Sequence, residues 1–315
     1  MIGLDVLQHW YNFLNWLIPG NDIIHFNTQN VDFPFYPKAT PMLPIPFLII
    51  TVIQIIAEML PISSSGHIKL FQLATGATLT LPHHFDEFLH LFSLLVLAVY
   101  FRRTWIPMVR RLWRVVFSRT PQAHRFTHHT LKLIALITIV TLCTAVGYYG
   151  GRLFLKGQPW LTSPVTLGIG FVITALLLIT SSRTLIPNPS FPLLVICMAV
   201  AQSLAALLPG VSRFAITYAT ARWLGRTPRR ALQLSWLMIT PLIAVAVTLH
   251  GLGDFMLGPD AGVALQPAFW ITAALATAAS YAALCGVARL AVTNRLWWIG
   301  VYMLLPISAL IILNW

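Results

Sequence analysis

The sequence predicts an all-α integral membrane protein, built as an inverted-topology repeat with six transmembrane helices and two re-entrant helix-turn-helix hairpins. Hydrophobic residues make up 57% of the chain and charged residues only 9%, against roughly 25% charged residues in a soluble domain. Apolar runs long enough to cross a bilayer recur along the chain between short basic or polar loops. An imperfect internal repeat divides the chain into two halves, which are predicted to have inverted topologies in the membrane.

The first 44 residues are predicted to lie apart from the membrane domain, which takes up residues 45–315. The stretch VLQHWYNFLNWLI mixes aromatic and polar side chains, which is typical of a helix at the membrane interface and equally of a helix packed on the bundle. The residues that follow are rich in Pro, Asn and Asp, and we expect them to form an exposed linker.

Six apolar segments are predicted to cross the bilayer, with some tilt. They lie at about residues 88–101, 131–150, 163–180, 234–250, 268–291 and 297–313.

Two further apolar stretches, residues 46–75 and 191–224, are predicted to form the re-entrant hairpins. Each is interrupted near its middle by proline and small polar residues, in PISSS and in PGVS. A broken helix at membrane depth is tolerated only where it lines an enclosed or wet cavity. The stretches share a weak repeat, QIIAEMLP and QSLAALLP, and three apolar segments follow each one. The sequence therefore predicts two repeats, about 45–180 and 191–315.

The basic residues orient these repeats, because basic loops are expected on the cytoplasmic side. The first hairpin then opens to the outside and the second enters from the inside, and such repeats meet at a binding site near the mid-plane. This placement accounts for the net charge of +12 without nucleic-acid binding, and it is compatible with affinity for anionic lipid headgroups. The basic residues of the predicted inner side are Arg102–Lys132, Arg183, Arg222–Arg230, Arg289 and Arg295.

The candidate chemistry begins in QIIAEMLPISSSGH. Gln54 and Glu58 are four residues apart, so both project from one helix face. A carboxylate in an apolar segment is costly without a partner, so Glu58 is a candidate general base or cation ligand, or else a structural partner of an intramembrane arginine. Gln54 is a candidate substrate ligand, or simply an amide that hydrogen-bonds within the bundle.

The SSSGH run follows at the predicted start of the second hairpin helix, where unsatisfied N–H groups attract phosphate. Ser64 or Ser65 is a candidate nucleophile, and His67 is the nearby candidate acid or base. Ser63 and Ser65 are candidate substrate ligands. The alternative is that the serines cap the helix and His67 bonds a carbonyl.

The second hairpin contributes PGVSRFAIT. A guanidinium at membrane depth needs an anion, and phosphate suits the bidentate fork of Arg213, whereas snorkelling to the cytoplasmic surface is the alternative. Ser212 and Thr217 would add hydroxyl donors unless their own helix backbone satisfies them. One carboxylate, a histidine, hydroxyls and an arginine between two broken helices fit a phosphorylated, lipid-embedded ligand.

The cluster of His83, His84, Asp86 and Glu87 could hold a metal. Its position on an outer loop before a spanning segment favours a polar rim at the membrane interface. His90, within that segment, is a candidate to face the cavity.

With these motifs, residues 45–315 resemble the undecaprenyl-diphosphate phosphatase family, the BacA-type bacitracin-resistance proteins. The resemblance rests on AEMLPISSSGH and on LLPGVSR followed by Thr217. It implies removal of one phosphate from the undecaprenyl diphosphate carrier of cell-wall synthesis at the outer face of the bacterial inner membrane. It also implies a divalent cation, Mg²⁺ or Ca²⁺, with Glu58 as a ligand. By position, the family's functional residues are Glu58, Ser64, His67, Ser212, Arg213 and Thr217.

The chain departs from the family pattern at three places. Gln54 replaces the first of two glutamates, which removes one negative charge and should weaken cation binding. His90-Leu91-Phe92-Ser93 stands where the family tends to have Gln-x-Gly-Ser, and Phe214-Ala215 follows the arginine in place of Ser-Gly. Phe92 and Phe214 are expected to add bulk near the substrate.

Two functional classes are therefore open. One is a phosphatase acting on a polyprenyl or related lipid diphosphate, in which Glu58 and His67 activate a serine or water. The other is a relative that binds or translocates a lipid phosphate without hydrolysing it. A purely structural partner of a membrane complex is a further, less favoured interpretation. The sequence leaves open whether the chain forms a homodimer.

Overall fold

The computed structural model describes residues 45–76, 85–117, 123–155, 158–251 and 266–313. Within these ranges all regular structure is helical and no strand occurs, so the predicted all-α class is confirmed. The predicted interfacial helix and linker of residues 1–44, and the loop with His83 and His84, lie outside the described residues.

Every apolar segment predicted from the sequence falls on a helix. A short 3₁₀ turn, Pro159–Thr162, precedes the helix that begins at Pro164, and a π-helical turn, Val247–Gly251, follows the helix that ends at Ala246. In chain order the described α-helices are α1 (Ile45–Glu58), α2 (Ser64–Thr75), α3 (Phe85–Tyr100), α4 (Arg102–Phe117), α5 (Ala123–Leu155), α6 (Pro164–Thr180), α7 (Phe191–Leu207), α8 (Arg213–Trp223), α9 (Pro228–Ala246), α10 (Pro267–Val292), α11 (Trp297–Tyr302) and α12 (Leu304–Leu313).

Several of these helices can cross a membrane. Thr130–Leu155 in α5, Pro228–Leu249 and Pro267–Val292 are long and apolar enough by length and composition. Helices α1, α6 and α7 and the segment Trp297–Leu313 are apolar but shorter. The described chain is thus that of a multi-pass membrane protein, and six remains the predicted number of spans.

Both predicted breaks occur where the sequence places them. Helix α1 ends at Glu58 before the turn with Pro61, and α2 begins at Ser64. Helix α7 ends at Leu207 before the Pro209-Gly210 turn, where Gly210 adopts a φ of 82°. In each pair the two helices contact one another, and their arrangement as re-entrant hairpins remains the predicted one.

The basic segment after α3, predicted as a loop, is instead the amphipathic helix α4. Its large apolar side chains recur at helical spacing, at Ile106, Val109 and Trp113, and each is exposed. The arginines of this segment are typical of a basic loop, whereas the spacing of its apolar residues is that of a helix.

The core brings the two predicted repeats together. Helix α1 packs on α10, α5 on α7 and α6 on α11. Ser280 Oγ in α10 donates a hydrogen bond to the Ile55 carbonyl of α1 at 2.8 Å. Helix α8 lies deep in this core, because every residue from Phe214 to Arg222 is buried.

A close approach of backbones holds the start of α8. A Cβ at Gly170 of α6 would overlap the Pro209 carbonyl oxygen and lie 2.8 Å from Gly210 Cα. Thr174 Oγ1 donates to the Gly210 carbonyl at 3.0 Å and accepts from the Ser212 amide at 3.0 Å. These contacts fix the turn that presents the first residue of α8.

Candidate active site

A serine and a carboxylate close the turn between α1 and α2. Ser64 Oγ donates a hydrogen bond to Glu58 Oε2 at 2.7 Å. The Glu58 side chain is 9% exposed. A hydroxyl held on a buried carboxylate has the geometry of a nucleophile with its general base, and the same bond also stabilises the turn.

Two basic groups surround Glu58. His90, on α3, places Nδ1 3.9 Å from Glu58 Oε1. Arg213, the first residue of α8, is close enough for its guanidinium to act electrostatically on the Glu58 carboxylate. An acidic group from the first predicted repeat and a guanidinium from the second are thus neighbours, as the sequence motifs suggested.

His67 is held away from this pair by other partners. Its Nδ1 lies 2.9 Å from the Ser63 carbonyl oxygen and its Nε2 lies 3.3 Å from the Tyr302 hydroxyl. The ring stacks parallel to Tyr302 at 6.0 Å and contacts Phe171. In the described part of the chain, the polar contacts of His67 are therefore those of the carbonyl-bonding alternative, and no direct contact joins it to Glu58.

The other serines of the motif differ in role. Ser63 adopts a φ of 50° and a ψ of 90° and caps α2, since its Oγ accepts from the Gly66 amide at 3.3 Å. Ser65 is exposed. Ser63 therefore matches the capping alternative, whereas the hydroxyl of Ser64 faces the carboxylate.

The hydroxyls of the second motif are used within the protein. Ser212 caps α8, with Oγ accepting from the Ala215 amide at 3.2 Å. Thr217 Oγ1 donates to the Arg213 carbonyl at 2.8 Å and to that of Phe214 at 3.2 Å. Both hydroxyls thus support the start of α8, which carries the guanidinium.

Gln54 is buried one turn before Glu58 on α1, and its Oε1 has no hydrogen-bond partner in the part of the chain that the structure describes. A buried acceptor without a partner is costly, so this oxygen is available to a ligand. It is also a hard donor suited to Mg²⁺ or Ca²⁺. In the described ranges, however, no three His, Cys, Asp or Glu side chains form a group that could hold a metal ion.

Phe92 and Phe214, the two phenylalanines that depart from the expected family pattern, pack in the core. Phe214 is 3% exposed and stacks on Trp236 with ring centroids 4.8 Å apart. Phe92 packs edge-on against Phe269 and Trp270. Both rings therefore pack against apolar side chains, instead of adding the expected bulk near the substrate. Phe214 points away from Arg213 because consecutive residues are about 100° apart around a helix.

Sequence reasoning gave His90 little weight, and its proximity to Glu58 is a tertiary feature. The available signal was the spacing of Asp86 and His90, four residues apart on one helix face. Tyr302, which contacts His67, and Thr174, which holds the α8 turn, belong to no motif in the sequence.

The family assignment comes from comparison with known proteins. A sequence model of the family described as bacitracin resistance protein BacA matches residues 47–307. The chain belongs to this BacA family.

Individual relatives are named undecaprenyl-diphosphatase. The protein of Saccharolobus islandicus is 31% identical over 209 residues, which cover 64% of this chain and 72% of the relative. That of Borrelia hermsii is 32% identical over 198 residues, 62% of this chain and 72% of the relative. That of Salinibacter ruber is 31% identical over 217 residues, 65% of this chain and 76% of the relative.

Proposed function

We propose that this BacA-family protein removes the terminal phosphate of undecaprenyl diphosphate and leaves the monophosphate, which returns the lipid carrier to cell-wall synthesis. The observation that carries this proposal is the Ser64–Glu58 hydrogen bond of 2.7 Å beside the charge of Arg213. A nucleophile with its base, next to a phosphate-binding cation, is the arrangement that phosphoryl transfer requires.

The reaction begins with Ser64. Its O–H bond breaks as the proton passes to Glu58 Oε2, and Oγ forms a bond to the terminal phosphorus. The bridging P–O bond breaks, and undecaprenyl monophosphate leaves with the electron pair and receives the proton from Glu58. The ionised Glu58 then takes a proton from water as the water oxygen bonds to the phosphorus of the phosphoserine. The P–Oγ bond breaks, Ser64 Oγ leaves with the electron pair and receives that proton from Glu58, and phosphate is released.

Arg213 stabilises the charge on the transferring phosphoryl group. So do the N-termini of α2 and α8, since each of these helices begins directly after one of the two turns. A guanidinium binds two phosphoryl oxygens at once. Glu58 and Gln54 Oε1 would hold a divalent cation, which neutralises phosphate charge when bound. With one carboxylate and one amide, these residues fit a cation whose remaining ligands come from diphosphate oxygens and water.

The proposed setting is the inner membrane of a bacterium. Six spans and two re-entrant hairpins in an inverted repeat would bring both turns to mid-depth, where the diphosphate of a lipid embedded in the outer leaflet can enter. The packing of predicted repeat one on repeat two supports this arrangement.

The test is phosphate release from undecaprenyl diphosphate by the purified full-length protein in detergent with Mg²⁺ or Ca²⁺. We expect release by the parent and loss in Glu58→Ala and in Arg213→Ala, with exposed Arg229→Ala as the matched control. Mass spectrometry identifies the lipid monophosphate. Retained binding of lipid phosphate without any release, under either cation, would instead support a translocating protein.

A further inference from the structure

We infer that His90 is a positioning residue of this reaction: its ring N–H holds the Glu58 carboxylate in the orientation that accepts the Ser64 proton. The inference rests on the proposed function. It makes His90 the histidine that acts on Glu58, whereas the sequence motif suggested His67 as an acid or base beside it.

The first support is geometry. His90 is 8% exposed, and within the described ranges its buried Nδ1 has no hydrogen-bond partner. That atom lies 3.9 Å from Glu58 Oε1, while the other carboxylate oxygen accepts from Ser64 at 2.7 Å. Ser64, Glu58 and His90 thus form a chain in which the base has the nucleophile on one oxygen and a ring donor facing the other.

The distance is consistent with this role. A shortening of roughly 1 Å brings Nδ1 within hydrogen-bond range of the carboxylate. Catalytic hydrogen bonds are often long before substrate binds and tighten in the reactive complex. Helices α1 and α3 pack on one another, so a small side-chain adjustment across this contact is sufficient.

The second support is the charge around the imidazole. Asp86, one turn earlier on α3, interacts electrostatically with His90, and its buried Oδ1 has no hydrogen-bond partner among the described residues. Glu58 is a second carboxyl group that interacts with His90, and it also interacts with Arg213. Two carboxyl groups therefore act on the imidazole, an environment that favours its N–H pointing at one of them.

The contrast with His67 supports the assignment. Both ring nitrogens of His67 have partners within the protein, at Ser63 and Tyr302. A ring held in this way supports the α2 turn. Nδ1 of His90, by contrast, has no hydrogen-bond partner among the described residues and lies 3.9 Å from Oε1 of the base.

The experiment measures steady-state phosphate release for His90→Leu and His90→Gln in the full-length protein. We expect kcat of His90→Leu to fall roughly 10- to 100-fold, as is typical when a group that orients a catalytic residue is removed, with KM nearly unchanged. His90→Gln keeps an N–H donor and should recover most of kcat. The matched control is Thr144→Val, which removes a buried hydroxyl bonded to the Val140 carbonyl and should leave kcat unchanged.

A double variant separates positioning from an independent role. If His90 acts through Glu58, then adding His90→Leu to Glu58→Gln should cost little beyond the single change. Additive losses would overturn the inference, as would a fully active His90→Leu protein or a failure of His90→Gln to recover activity in folded protein. These results leave the proposed function standing as long as the parent releases phosphate. No release from the parent overturns both.

Discussion

Replacing Glu58 by glutamine tests the proposed base directly. Glutamine has nearly the same shape and keeps a carbonyl oxygen to accept the Ser64 hydrogen bond, which is 2.7 Å long in the parent. It cannot take the serine proton. The change therefore removes basicity and negative charge while it preserves the packing of the α1–α2 turn.

The expected loss follows from the role. A positioned general base contributes roughly 10²- to 10⁴-fold in rate, or about 2.7 to 5.4 kcal/mol in the activation barrier. At saturating Mg²⁺, where the weakened cation site stays filled, the lost charge also no longer repels the diphosphate, so KM should stay level or fall. The predicted signature is a large drop in kcat without a rise in KM, which marks an interaction made in the transition state.

The assay is initial-rate phosphate release over a range of undecaprenyl diphosphate concentrations, with thermal unfolding as a check on folding. Glu87→Gln is the matched control, because Glu87 is the only other glutamate in the sequence and lies outside the proposed machinery. A Glu58→Gln protein that retains kcat within about threefold of the parent would refute the base role, since even weak base catalysis exceeds that factor.

The remaining predictions concern the Arg213 guanidinium, the divalent cation and the backbone contact at Gly170. Arg213→Lys keeps the charge but loses the bidentate fork, so kcat/KM should fall about 100-fold, and activity like that of the Arg229→Ala control would contradict the phosphate contact. Gln54→Glu adds a charge near the cation, worth about 2 kcal/mol at 4 Å even in water, so half-maximal Mg²⁺ should drop about 30-fold in a titration of phosphate release. An unchanged Mg²⁺ requirement would remove Gln54 from the cation site. Gly170→Ala should destabilise the fold by about 1 to 3 kcal/mol in thermal unfolding. Gly286→Ala should not destabilise the fold, because its added Cβ meets no atom of the described residues within 4 Å; equal unfolding midpoints would contradict the close backbone approach at Gly170.

Local sequence was sufficient for the secondary structure of the hairpins. Proline lacks an amide donor, and Gly210 adopts a positive φ, so the breaks at Pro61 and Pro209 follow from the residues themselves. The Glu58–Ser64 pair could be predicted for the same reason, because its members are only six positions apart across one tight turn. Helix α4 could have been predicted from its apolar spacing, which its arginines obscured.

Composition predicted the membrane-protein class. Periodicity and turn chemistry, which depend on a few neighbouring residues, predicted the helical segments and the two motifs. Tertiary structure alone decided which histidine faces Glu58. The ring of His67 turns toward Tyr302, 235 positions away, and His90 reaches the carboxylate because α3 packs on α1. The orientation of a side chain depends on the helices that surround it, and contacts between distant helices leave no local pattern in the sequence.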